Sequence, residues 1–124
     1  EVAEADYLVI SSNRVYGVAP RLPAVYPLSS QFHQMLFAGE LGYELRYVTD
    51  RTPQLGGFYL YPDTFSWPMV TPPPEVEAYL TERPGISFGR VDESFTVYDQ
   101  PLVMIFENVE GRSVEELLEA FERR

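Results

Sequence analysis

The sequence predicts a mixed α/β fold. Short apolar runs rich in β-formers stand at 7–11 and 102–106, and 43–50 alternates with period two. Two other stretches, around Phe32–Leu36 and Val114–Phe121, repeat their apolar residues at helical spacing instead. Their order predicts a mixed sheet of about four strands. It has a β-α-β start, an irregular insert, a C-terminal β-hairpin and a terminal helix. At 124 residues the chain is expected to form one soluble domain over residues 1–124.

Each element has a local reason. Tyr7 to Ser11 is continuous apolar sequence bounded by Asp6 and Ser12-Asn13, so it predicts a buried central strand covered on both faces. Pro20, Pro23 and Pro27 keep the next segment extended or turning. Ser29 or Ser30 is the expected N-cap of a helix that turns Phe32, Met35 and Leu36 to one face. Gly39 and Gly42 bracket its end, and Gly42 is the expected left-handed cap. From Tyr43 to Asp50 the sequence alternates. Tyr43, Leu45 and Tyr47 are expected on one face, with Glu44 and Arg46 on the other.

Residues 52–90 form the expected irregular insert, punctuated by Pro53, Gly56-Gly57, Pro62, Pro68 and Pro72-Pro73-Pro74. Within it, Phe58 to Tyr61 predicts a short strand. Pro74 to Glu82 predicts a short helix facing Val76, Tyr79 and Leu80 inward. Phe95–Tyr98 and Leu102–Phe106, joined through Asp99-Gln100-Pro101, predict the hairpin, its second strand the more buried. Ser113 and Glu116 fit a capping box that opens the last helix, with Val114, Leu117, Leu118 and Phe121 at amphipathic spacing.

Composition excludes whole chemistries. Cysteine is absent, so disulfides, thiolate metal sites and a cysteine nucleophile are excluded. All nine basic residues are arginine, which removes Schiff-base and Walker-type lysines. The net charge of -10, with no basic stripe, argues against nucleic acid and against anionic lipid as partners. No run of eighteen apolar residues predicts direct membrane insertion by these residues. Glu1-Val2-Ala3-Glu4-Ala5-Asp6 carries no signal-peptide pattern and runs straight into the first strand. The expectation is a fragment excised from a larger protein.

Few residues suggest chemistry. His33 is the only histidine and has no local nucleophile or acid beside it, so it reads as a helix-surface or boundary residue. Asp92, Glu93 and Asp99 are the nearest candidates for an acid/base pair or a hard-cation site, although solvated turn acids explain them more simply. Neither a catalytic residue, a metal ligand nor a cofactor is predicted. For ligand binding the candidates are Asn13, Arg14 and Tyr16 just beyond the first strand, and Trp67 in the aromatic-rich insert. In open α/β sheets ligands bind beyond strand ends, and polar, planar and aromatic groups there suit sugar or phosphate. The competing reading makes Asn13 a turn cap, Arg14 an ion-pair partner and most of the aromatics core.

Three blocks carry a resemblance. They are Ala5-Asp6-Tyr7-Leu8-Val9-Ile10-Ser11-Ser12-Asn13-Arg14-Val15-Tyr16-Gly17, continuing through Pro20-Arg21-Leu22-Pro23 and Tyr26-Pro27; then Leu36 to Leu45; then Asp92 to Asp99 with Pro101 and the strand to Phe106. Together they resemble the soluble C-terminal segment after the last span of multi-pass membrane proteins similar to lipid-carrier-dependent glycosyltransferases of the C superfamily. Those proteins include an uncharacterised family nicknamed for its YYY motif. Gln100 stands where that pattern has histidine, so no imidazole role carries over. Residues 52–90 lie outside the resemblance.

The resemblance implies an extracytoplasmic domain of a membrane protein whose catalytic acids lie elsewhere, in the parent's membrane portion. The expected function is therefore a non-catalytic accessory domain that braces that membrane core or positions the acceptor. Its expected partners are the membrane portion of its own parent chain and a glycan. The alternative is a stand-alone carbohydrate- or protein-binding module.

Overall fold

A computed structural model describes residues 1–11, 16, 22–49, 54–56, 58–61, 71–87 and 102–124. The fold is mixed α/β, as the sequence predicts. Six described strands are β1 (Tyr7–Ile10), β2 (Tyr43–Thr49), β3 (Gln54–Leu55), β4 (Phe58–Tyr61), β5 (Gly85–Ser87) and β6 (Val103–Asn108). The α-helices whose bounds are described are α1 (Pro27–Phe37), α2 (Pro74–Thr81) and α3 (Val114–Arg123). A single 3-10 turn, Val2–Glu4, precedes β1.

The strands form two sheets, β1-β6-β2 and β3-β4-β5. Both β1 and β2 run antiparallel to β6, so they run parallel to each other on either side of it. Among the described strands β6 is therefore central and β1 takes an edge. This corrects the expectation of a central, doubly covered first strand. Leu8 and Ile10 turn toward the core opposite Phe106 and Met104, while Tyr7 and Val9 stand more than half exposed. An apolar run four residues long cannot distinguish a strand covered on both faces from an edge strand that leaves one face open. The first hairpin strand, 95–98, lies outside the described residues; the second is the well-buried β6.

In β2 the pairing slips between Leu45 and Tyr47, leaving Arg46 as the extra residue of a bulge. Beyond a bulge the alternation changes phase. Tyr47 consequently faces outward and Val48 inward, opposite Met104, which overturns the expected inward Tyr47.

The helix ends differ from expectation in the same local way. Pro27 occupies the first turn of α1 with Tyr26 as N-cap, not Ser29 or Ser30. Proline suits that position because its missing N–H would be unpaired there anyway. At the other end Gly39, not Gly42, is the left-handed cap, with φ 77°. Its N–H donates to the Leu36 carbonyl (3.2 Å), and the Glu40 N–H donates to the Met35 carbonyl (2.9 Å). Those two bonds are a Schellman motif. The predicted capping box of α3 is present: Ser113 and Glu116 bond each other's backbone N–H.

The core joins Met35, Leu36 and Phe37 of α1 to Met104 and Phe106 of β6, with Tyr16, Leu41, Tyr43, Val76, Leu102 and Leu117 around them. The Phe37 and Phe106 rings stack 6.0 Å apart. Leu117 is the buried residue of α3, whereas Val114 and Leu118 are exposed, so the inward stripe is narrower than the spacing predicts. Gln31 donates to the Phe121 carbonyl at 2.6 Å and ties α1 to α3. The Tyr43 hydroxyl lies 2.7 and 2.8 Å from the Val2 and Ala5 carbonyls, anchoring the N-terminal turn to β2.

The described part of residues 52–90 holds regular elements. It supplies α2 as predicted and the described strands of the second sheet, of which β4 was expected and β3 and β5 were not. The Arg83 guanidinium sits over the rings of both Tyr59 (4.9 Å) and Tyr79 (4.7 Å), joining α2 to β4 by cation–π contact. No helix among the described residues is long and apolar enough to cross a membrane.

Candidate functional site

Of the sequence-predicted ligand residues, Asn13, Arg14 and Trp67 lie outside the described residues, as do Asp92, Glu93 and Asp99. Tyr16 is described, and it is fully buried. Its ring meets Phe37 edge-on at 5.6 Å and His33 at 6.5 Å. Burial raises its phenol far above the ordinary range, so it stays protonated. The structure seats Tyr16 among core aromatics.

His33 also lies in that cluster, buried to 6% exposure, which corrects the surface or boundary expectation. Helical spacing puts it between Phe32 (5.2 Å) and Phe37 (6.2 Å). Its Nδ1 stands 2.7 Å from the Ser29 carbonyl one turn earlier. A carbonyl only accepts, so Nδ1 carries the proton and donates it. Burial holds the imidazole below its usual pKa despite that bond.

Two clefts flank the junction of α1 and α2. One, of about 540 Å³, is bordered by Gln34, Phe37, Thr71, Pro72, Glu77 and Arg124 among the described residues. The other, of about 220 Å³, lies toward β2 and shares Phe37, Ala38 and Pro74 with the first. Arg124 already pairs with Glu40 at 2.9 Å. No group of three or more potential metal ligands occurs among the described residues.

The most distinctive surface is the outward face of the β1-β6-β2 sheet. Register places Tyr7, Glu107 and Glu44 in one row and Val9, Ile105 and Tyr47 in the next. Tyr7 (57%), Val9 (58%) and Tyr47 (56%) are all more than half exposed. The bulged Arg46 bridges the face: its Nε donates to Glu107 at 2.5 Å and its Nη1 lies 3.3 Å from Glu44. These contacts hold its guanidinium pKa above the ordinary value, the hydrogen bond to Glu107 first among them. The face thus combines two tyrosines, an apolar strip and a pre-formed array of charged donors and acceptors.

Sequence reasoning missed this face for two reasons. It took β1 as buried on both sides, and it carried the alternation of β2 through without a break. A bulge at Arg46 leaves no mark in the residue pattern. Nothing matches this chain among family models, curated proteins or solved structures.

Proposed function

We propose that this chain is a non-catalytic accessory domain on the extracytoplasmic side of a glycosyltransferase-like membrane protein. Its role is to position what the parent acts on, using the outward face of the β1-β6-β2 sheet. The observation that carries this is the exposure of Tyr7, Val9 and Tyr47 on the same sheet face. The outer face of a free antiparallel sheet ordinarily alternates to polar side chains, and apolar clusters in water mark contact surfaces. The sequence resemblance adds support. Its three blocks contain β1, the first strand positions of β2, and most of β6, which are the strands that build this face.

These 124 residues carry no cysteine, so one introduced here is the segment's single thiol once any in the rest of the parent are replaced. Single cysteines at Tyr7, Val9 and Tyr47 should cross-link within the full-length protein to its membrane portion or to a photoreactive acceptor. Cysteines at Val114 and Leu118 on α3 should not. A parent gene without membrane spans refutes the proposal, and so do cross-links that favour α3.

A further inference from the structure

We infer that the occupant of this sheet face is a neutral oligosaccharide lying across the three strands. The inference rests on the proposed positioning role and names its ligand class. Area argues first. Three strands at ~4.8 Å spacing and ~3.4 Å rise per residue present a face of roughly 300 Å². A stable protein partner or second copy needs about 800 Å² from each side. The described face by itself is smaller than either needs and of the right extent for a short glycan.

Charge argues next. Glu44 and Glu107 outnumber Arg46 within the face. An apolar protein surface laid over them would strand a carboxylate away from water. Sugar hydroxyls both donate and accept, so they can bond all three side chains in place of water. With a chain charge of -10, sugars carrying carboxylates or phosphates are repelled, which leaves neutral ones.

Geometry argues last. Tyr7 and Tyr47 stand on opposite edge strands, one row apart, hence about 12 Å from each other across the sheet. Two exposed rings so placed offer stacking surfaces for the apolar faces of separate sugar units. The strip of Val9 and Ile105 runs between them, and Arg46 with its acids takes the hydroxyl edges.

The test is titration of the isotope-labelled 124-residue chain with neutral hexasaccharides of glucose, mannose and N-acetylglucosamine, and with a hexauronate. At least one neutral sugar should shift amide signals of Tyr7–Val9, Glu44–Tyr47 and Ile105–Glu107, and the hexauronate none. Tyr7→Ala and Tyr47→Ala should each weaken binding about fivefold or more, while Leu118→Ala leaves it unchanged. Both tyrosines are exposed, and circular dichroism checks that the variants fold. The inference is overturned if no neutral sugar shifts these signals, if the shifts centre elsewhere, or if both tyrosine variants bind normally. Cross-links to the membrane portion without sugar binding would sink the glycan and leave the accessory role standing. Sugar binding by a chain whose parent has no membrane spans would do the reverse.

Discussion

Alanine at Gly42 should destabilise the fold far more than alanine at Gly39, although both glycines have nearly the same backbone. Gly39 has φ 77° and Gly42 φ 76°. A left-handed conformation costs a non-glycine residue about 1–2 kcal/mol. Stiffening the unfolded chain returns about 0.4–1 kcal/mol of that. The backbone contribution is therefore about 1 kcal/mol at either site. What separates the two is space. A Cβ on Gly39 meets nothing within 4 Å, whereas one on Gly42 would lie 2.9 Å from Glu110 Cβ and 3.2 Å from Arg112 Nε. The neighbours cannot retreat freely. The Gly42 carbonyl accepts from both Val109 N–H (3.1 Å) and Glu110 N–H (3.2 Å), and Arg112 is bound to Glu110 and to the Glu40 carbonyl. Overpacking of this kind adds about 1–3 kcal/mol, for a total of about 2–4 kcal/mol at Gly42. Urea denaturation followed by far-ultraviolet circular dichroism measures both variants. Glu110→Gly in the Gly42→Ala background should recover part of the loss by removing the clashing Cβ. Equal midpoints for Gly39→Ala and Gly42→Ala would refute the steric account.

The α3 cap and the buried histidine make separate predictions. Ser113→Ala should cost about 1 kcal/mol in the same denaturation assay, and Ser113→Gly only a few tenths. Glu116 accepts the Ser113 N–H at 2.7 Å, and that bond lowers its carboxyl pKa below the usual value. Its contribution should be full above its unfolded value near ~4.3 and be lost as pH falls through the lower folded value. Glu116→Gln should flatten that part of the stability–pH curve. His33 is also held below its ordinary pKa by burial, so the unfolded chain takes up the proton first. Stability should be full above about pH 6.5 and decline as pH falls toward the folded value, and His33→Phe should abolish that slope.

How legible these features were depended on the range of the interaction that decides them. Capping of α3 is settled within four residues, and Ser113 with Glu116 announces it directly. The helical face of Met35 and Leu36 is settled within one turn and was readable from spacing. The choice between Gly39 and Gly42 was not. Both are glycines with positive φ, and only the bond from Glu40 N–H back to the Met35 carbonyl marks the first as the cap. Gly42 is needed for another reason, the close approach of the Glu110–Arg112 segment, some seventy residues away in sequence. The edge position of β1 and the bulge at Arg46 are set by pairing with β6, about sixty to one hundred residues downstream. The candidate face was hidden for that reason: each of its rows takes one residue from each of three distant segments. His33 shows the same limit in one residue. Spacing placed it beside the apolar face, but burial followed from Tyr16 and Phe37 closing around the ring.

Residues 52–90 raise a question that one substitution can answer. The segment supplies its own sheet, so it is either an appendage that folds beside the rest or an integral part of the core. Val76 of α2 decides between these, because it is fully buried in the cluster that holds Phe37, Met104 and Phe106. An appendage would keep its apolar residues to its own sheet. Truncating Val76 to alanine removes two buried carbon groups, worth about 1.6 kcal/mol in transfer, and leaves a small cavity. The expected cost is about 2–3 kcal/mol for the whole chain. Cooperativity is as informative as the magnitude. If α2 is integral, Val76→Ala should shift one unfolding transition, and probes in the β1-β6-β2 sheet and in α2 should report the same midpoint. A variant in which α2 melts first while the signals of Tyr7 and Tyr47 stay native would make the segment an appendage. It would also separate the stability of the sheet face from residues 52–90.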